Sequence, residues 1–164
     1  MHDHVATILG HWQAQRPDLD VSPVGVFGRI TRIERYKTTA LREVYRRHRI
    51  DAGEYDVLAA LRRNGPPHRL TPTELYRGVL VNSATMTERI DRLERRQLVR
   101  RTRSDRDRRS VSVELTTAGR KLIDQAAADL LATQAQLLEG LTERDRRALT
   151  RLLAKLSSLL ERDS

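Results

Sequence analysis

Residues Ser83–Thr116 read SATMTERIDRLERRQLVRRTRSDRDRRSVSVELT, and within them the rhythm of the chain changes. Met86, Ile90 and Leu93 recur at helical spacing; Val111, Val113 and Leu115 then alternate with Ser110, Ser112 and Glu114 in the period of a strand. Val99 and Arg100 open a first strand, and Ser104–Arg109 forms a polar tip before the second. Between Arg89 and Arg109 ten arginines face four acids, a surplus of six in a chain whose total is +9. Most of the excess positive charge therefore sits in about an eighth of the length. The helix is patterned to lie in a groove, and the hairpin to carry a charged tip beside it.

The rest of the chain punctuates as helices. An amphipathic stretch over roughly residues 3–16 is followed by Ser22-Pro23, a cap with proline in the first turn. A long helix is predicted from there to about His48, with Val26, Phe27, Ile30, Ile33, Leu41 and Val44 at helical spacing. GEYDVLAALRR forms a third helix that stops at Asn64-Gly65-Pro66-Pro67. In LTPTEL, Thr71 caps, Pro72 takes the first helical position and Glu74 completes a capping box for a short helix ending near Val81. Asn82 or Ser83 opens the next helix, and after the hairpin come two more, the second capped by Thr142 and Asp145 and presenting a broad leucine face. A short helix, a tight turn, a polar-faced helix and a basic hairpin make a winged helix-turn-helix in a mainly α (α+β) chain.

Composition narrows the function. The chain has no cysteine, so neither disulfides nor a thiolate metal site are available. No apolar run approaches a membrane span, and the N-terminus lacks a signal-peptide layout, which predicts a soluble cytoplasmic protein without a membrane partner. A pI near 10.9 points to a polyanion. An enzyme is not indicated: there is no glycine-rich phosphate loop and no Ser–His–Asp grouping, and no cofactor is expected. His2 and His4 are spaced like a metal pair but lie at a terminus; His11, His48 and His68 are isolated. A general nucleic-acid-binding or chromatin protein is the alternative. RNA readers stack bases on exposed aromatics, and Ser83–Thr116 contains none, which favours duplex DNA. A pure dimerisation scaffold would leave the arginine-tipped hairpin without a purpose.

On the grooved helix, Ser83, Thr85, Thr87 and Arg89 are placed near base edges or adjoining phosphates, with Arg92 nearer the backbone. Arg108 and Arg109 at the tip suit the narrow minor groove, where arginine is electrostatically favoured, and Arg106 beside them is a further candidate DNA contact. Arg95, Arg96, Arg100 and Arg103 fit either phosphate contact or a solvated face. Asp91 and Glu94 are expected to pair with neighbouring arginines three or four residues away. Asp56 stands on an otherwise apolar helix, where a carboxylate is costly unless paired; Arg89 is its expected partner. Trp12 by itself reads as a core residue more readily than as a pocket residue.

LTPTEL…VNSATMTERIDRLERRQLVRRTRSDRDRRSVSVELTTAG closely resembles the MarR family of transcriptional regulators, with Asp107-Arg108-Arg109 and Leu115-Thr116-Thr117-Ala118-Gly119 matching its wing motif. The resemblance spans about residues 22–162. It implies a homodimer on a palindromic operator, with residues 22–50 and 117–162 as dimerisation helices and 51–116 as the DNA-binding domain. It also implies that Asp107 orients Arg109. HWQAQRPDLDVSPVGVFGRITRIE and GEYDVLAALRR further resemble the urate-responsive branch, which adds an N-terminal helix, here residues 1–20. That likeness implies a ligand site of Trp12, Asp56, Arg89 and Arg101, a small anionic aromatic ligand with urate first, and release of a repressor from DNA.

Overall fold

The computed structural model describes residues 3–79, 86–103 and 111–162. The expectations placed on Ser83, Thr85, Arg106, Asp107, Arg108 and Arg109 lie outside the described residues. The elements run α1 (His4–Gln15), α2 (Ser22–Arg47), α3 (Ala52–Arg63), β1 (Arg69–Leu70), α4 (Pro72–Gly78), α5 (Met86–Arg95), β2 (Val99–Arg103), β3 (Val111–Leu115), α6 (Thr117–Leu137) and α7 (Glu143–Glu161). Among the described residues no helix is long and apolar enough to cross a membrane.

Local chemistry sets the helix starts. Thr71–Glu74 and Thr142–Asp145 both form the expected capping boxes. A third, Asp51–Glu54, opens α3; its Asp-x-x-Glu spacing was readable beforehand. Asp3 caps α1 and pairs with Arg29, so the first turn of α1 is tied to α2. Val5, only 2% exposed, lies against Gly28, where an added Cβ would sit 3.2 Å from its Cγ1.

The sheet is three-stranded and antiparallel in the order β1-β3-β2. The sequence reading contained two strands; β1, only two residues long, carries no period of its own and forms because β3 offers it a free edge. β3 was expected to alternate, yet Ser112 and Glu114 are buried along with Val113 and Leu115. The reason is its central position: Arg69 on β1 and Arg100 on β2 stand opposite Glu114 and close over it.

Two apolar clusters hold the molecule. The larger joins α3, α4, α5, the sheet and the first half of α6, around Val57, Leu58, Leu61, Leu75, Leu93, Val99, Val113 and Ile123. The smaller is Leu41, Val44 and Leu130, between α2 and α6. Tyr45 and Tyr55 border both, with ring centroids 5.8 Å apart. His48 Nε2 lies 2.9 Å from Asp129 Oδ2, and Arg47 also reaches this carboxylate, which fastens the end of α2 to α6. α7 is different: it buries none of its described residues, and Leu152, Leu153, Leu159 and Leu160 are all about half exposed or more.

Candidate nucleic-acid interface and ligand site

α5 has two unlike sides. Met86, Ile90 and Leu93 face the core, and Thr87 and Glu88 are exposed. Arg89, Arg92 and Arg96 recur at i, i+3 and i+7, so they share one flank of the helix. That flank meets the first turns of α3. A Cβ built on Gly53 would lie 2.1 Å from Arg89 Cζ, which shows that the guanidinium rests directly on the glycine. Arg92 donates to Glu54 Oε1 at 3.1 Å and to Asp51 Oδ2 at 2.8 Å, and Arg96 donates to Glu54 Oε2 at 3.3 Å.

This differs from the sequence reading in two respects. Arg92, expected near the DNA backbone, points its guanidinium into α3. Asp91 and Glu94 were expected to pair along their own helix; instead both carboxylates bind Arg101 on β2. The sequence marks acid–base neighbours at helical spacing but cannot mark a strand that folds back beside them. Glu54 and Gly53 went unremarked for the same reason, since nothing in GEYD announces which surface lies opposite. Arg95 remains exposed.

Of the proposed ligand residues, Asp56 and Arg89 feel one another's charge across the α3–α5 boundary, but the expected pairing between them does not form: Arg89 rests on Gly53 instead. Burial pushes the Asp56 carboxyl above its ordinary range, and the positive charges of Arg89, Arg63 and Lys37 only partly oppose this. No hydrogen bond or ion pair reaches Asp56 among the described residues. Lys37 is engaged by Glu34 and Arg63 by the Gly78 carbonyl, so a half-buried carboxylate that none of these cations bonds is open to an incoming hydrogen-bond donor. Arg101 sits apart, held by Asp91 and Glu94, which hold its protonation all the more firmly. Trp12 is 47% exposed and lines a groove of about 410 Å³ with Ile8, His11 and Gln15, which includes none of the other three.

The base of the wing is built on Leu98. Its carbonyl accepts from the Thr116 backbone N–H and hydroxyl, both at 3.1 Å, while the same hydroxyl also donates to Gln97 O at 2.7 Å. Thr116 caps α6 by accepting from Gly119 N–H at 3.0 Å. Gly119 is required by this approach, because a Cβ there would lie 1.9 Å from Leu98 O. Farther along the sheet, burial pushes the Glu114 carboxyl up, but hydrogen bonds from Arg100 and Arg69 outweigh it and leave it below the usual range. The three strands are thus pinned by one ionised carboxylate.

The chain is similar to known proteins in sequence and in fold. Residues 50–111 match the MarR family. The chain is 34% identical over 156 residues to the HTH-type transcriptional regulator PecS of Dickeya dadantii, covering 95% of this chain and 94% of that protein. The structure of BpsR from Bordetella bronchiseptica, whose DNA binding is regulated by 6-hydroxynicotinic acid, has a TM-score of 0.70 and 26% identity. That match covers 81% of this chain and 98% of BpsR. A mutant MarR from E. coli complexed with operator DNA has a TM-score of 0.71 and 27% identity, covering 84% and 99% of the two chains. With a helix-turn-helix braced on a pinned three-stranded wing, and likeness to PecS along nearly its whole length, this chain belongs to the MarR family of DNA-binding transcriptional regulators.

Proposed function

We propose that the protein is a homodimeric repressor that binds a palindromic operator and leaves it when a small anionic aromatic compound, urate foremost, occupies the α3–α5 boundary. The observation that carries the reading is that Asp56, an unpaired half-buried carboxylate, lies within electrostatic reach of Arg89, a cation of the groove helix that rests on α3 at Gly53. An anion arriving there takes Arg89 for itself and repels Asp56, so α5 shifts and operator affinity falls. Thr87 and Arg89 supply the α5 contacts within the described residues, with Ser83, Thr85 and the Arg106–Arg109 tip completing the DNA surface. Arg101 must leave Asp91 and Glu94 to join the ligand, and Trp12 must be brought to it from α1. Ligand control of BpsR by an aromatic acid supports the ligand class.

The dimer is supported by the exposed apolar faces. Leu149, Leu152, Leu153, Leu159 and Leu160 on α7, and Val26, Phe27, Ile33 and Tyr36 on α2, lie open in the single chain. A 19-residue helix with no core of its own is marginal in water and gains its stability by burying such a face. Two recognition helices on a dimer address half-sites roughly 34–36 Å apart.

The test is a gel-shift titration of duplex from the protein's own upstream region against excess nonspecific DNA. It is run alone, with millimolar urate and with 6-hydroxynicotinate. Loss of the specific complex with either anion, abolished by Asp56→Asn, is the expected result; Arg89→Ala also removes a DNA contact and should weaken the complex without either anion. A specific complex indifferent to both anions removes the proposed ligand class. Absence of any specific complex removes the operator.

A further inference from the structure

We propose that Glu54 is a positioning residue for sequence-specific DNA binding: it fixes how α5 is turned toward the duplex by holding Arg92 and Arg96. This rests on α5 being the helix that enters the groove.

Glu54 is the most enclosed carboxylate facing α5, its side chain 6% exposed, while Arg92 and Arg96 are 37% and 35% exposed. Both of its oxygens accept. Oε1 takes Arg92, and Oε2 takes Arg96 together with the backbone N–H of Asp51 at 3.1 Å. The carboxylate is itself fixed by the capping box, in which Glu54 N–H donates to Asp51 Oδ1 at 2.7 Å, and the second oxygen of Asp51 holds Arg92. The first turn of α3 therefore grips two guanidinium groups four residues apart, Arg92 on α5 and Arg96 in the turn that directly follows it.

A short helix of 10 residues needs such a grip. Its apolar contacts through Met86, Ile90 and Leu93 are non-directional and tolerate a few degrees of rotation. Charge-assisted hydrogen bonds from arginine are directional and do not. Buried ion pairs add little net stability compared with an apolar replacement, so the value of this one lies in orientation. Thr87 and Glu88 are exposed elsewhere on the same helix and move with it. Asp91 and Glu94 fasten α5 to β2 through Arg101, and the Glu54 fork sets its angle on α3.

Glu54→Gln separates orientation from folding. Glutamine still completes a capping box, but it no longer carries the charge that holds two arginines. The operator affinity of the full-length protein should fall about tenfold, a change of about 1.4 kcal/mol. Affinity for random duplex should hold or rise, because the variant is one unit more positive. A merely structural role would lower both affinities together with the melting temperature. Arg96→Gln should cost similar specificity and add little to Glu54→Gln in a double-mutant cycle. Thr87→Ala is the control for the groove reading. If Thr87→Ala weakens operator binding while Glu54→Gln leaves the ratio of operator to random affinity intact, the positioning role is overturned and the groove reading stands. If neither changes that ratio, both fall.

Discussion

Gly53→Ala is the most informative single change. A methyl group at this position would stand 2.1 Å from Arg89 Cζ, 2.2 Å from Nε and 2.5 Å from Nη2. Ordinary contact begins at 3.4 Å, so the guanidinium must retreat by about 1.3 Å or swing away. It is the far end of a flexible side chain with no described hydrogen bond, so the backbone has no need to move. Alanine also favours the helix over glycine by up to about 1 kcal/mol, which for a chain of this size is a gain of about 2–4 °C. Stability is therefore expected to hold or rise. Function should change, because Arg89 leaves its place on Gly53, within electrostatic reach of Asp56, without any ligand. The variant should bind operator about tenfold more weakly in the absence of urate or 6-hydroxynicotinate, and respond less to either. Thermal melting and the gel-shift titration, done on the same preparation, give both readings. Native operator affinity with full ligand response would falsify the coupling. A melting temperature several degrees lower would show instead that the Arg89 seat is a structural contact.

Three other outcomes follow from named geometry. Gly119→Ala places a Cβ 1.9 Å from the Leu98 carbonyl, which is backbone and cannot swing aside; a loss of about 1–3 kcal/mol is expected in urea unfolding, despite the better helix former. Asp56→Asn removes a carboxyl whose folded-state pKa is raised by burial. In the native protein that group adds stability as pH falls through its raised pKa toward 3.8, and the contribution is complete below that value. The variant should therefore melt higher than the native protein at neutral pH, and the gap should close on acidification. A gap that widens toward low pH contradicts the sign. The double change Leu152→Glu and Leu153→Glu places two charges on the open face of α7; if α7 closes the proposed dimer, sedimentation should show a dimer for the native chain and a monomer for the variant.

The helices and the wing were legible because their signals are local. Capping boxes at Thr71 and Thr142, proline after Ser22 and the switch from helical to strand period near Val99 are all read within a few residues. What lay beyond reach depends on faces that meet across long separations. Arg92 was assigned to DNA because its position on a basic helix suited phosphate, while Asp51 and Glu54, about 40 residues earlier, take it in the fold. β1 exists only because β3 pairs with it. Asp56 was singled out correctly as an uncomfortable carboxylate, for an apolar helix with one acid shows in the sequence alone. That Gly53 is the floor for Arg89 could not be read, since a glycine in a first turn carries no sign of what rests on it.

The Leu98 junction gives the wing a mechanical property. The hairpin base and the start of α6 share a carbonyl, a threonine hydroxyl and a glycine without a side chain to cushion them, so they turn together as a crank. Strands of five residues extend about 16 Å from that pivot. A tilt of about 10° in α6 then sweeps the far end of the strands by about 3 Å, most of the width of one base-pair step. Because the other half of α6 is latched to α2 through His48 and Asp129, the helix has the geometry of a lever arm, and small adjustments where α6 meets α2 are magnified at the far end of the hairpin strands.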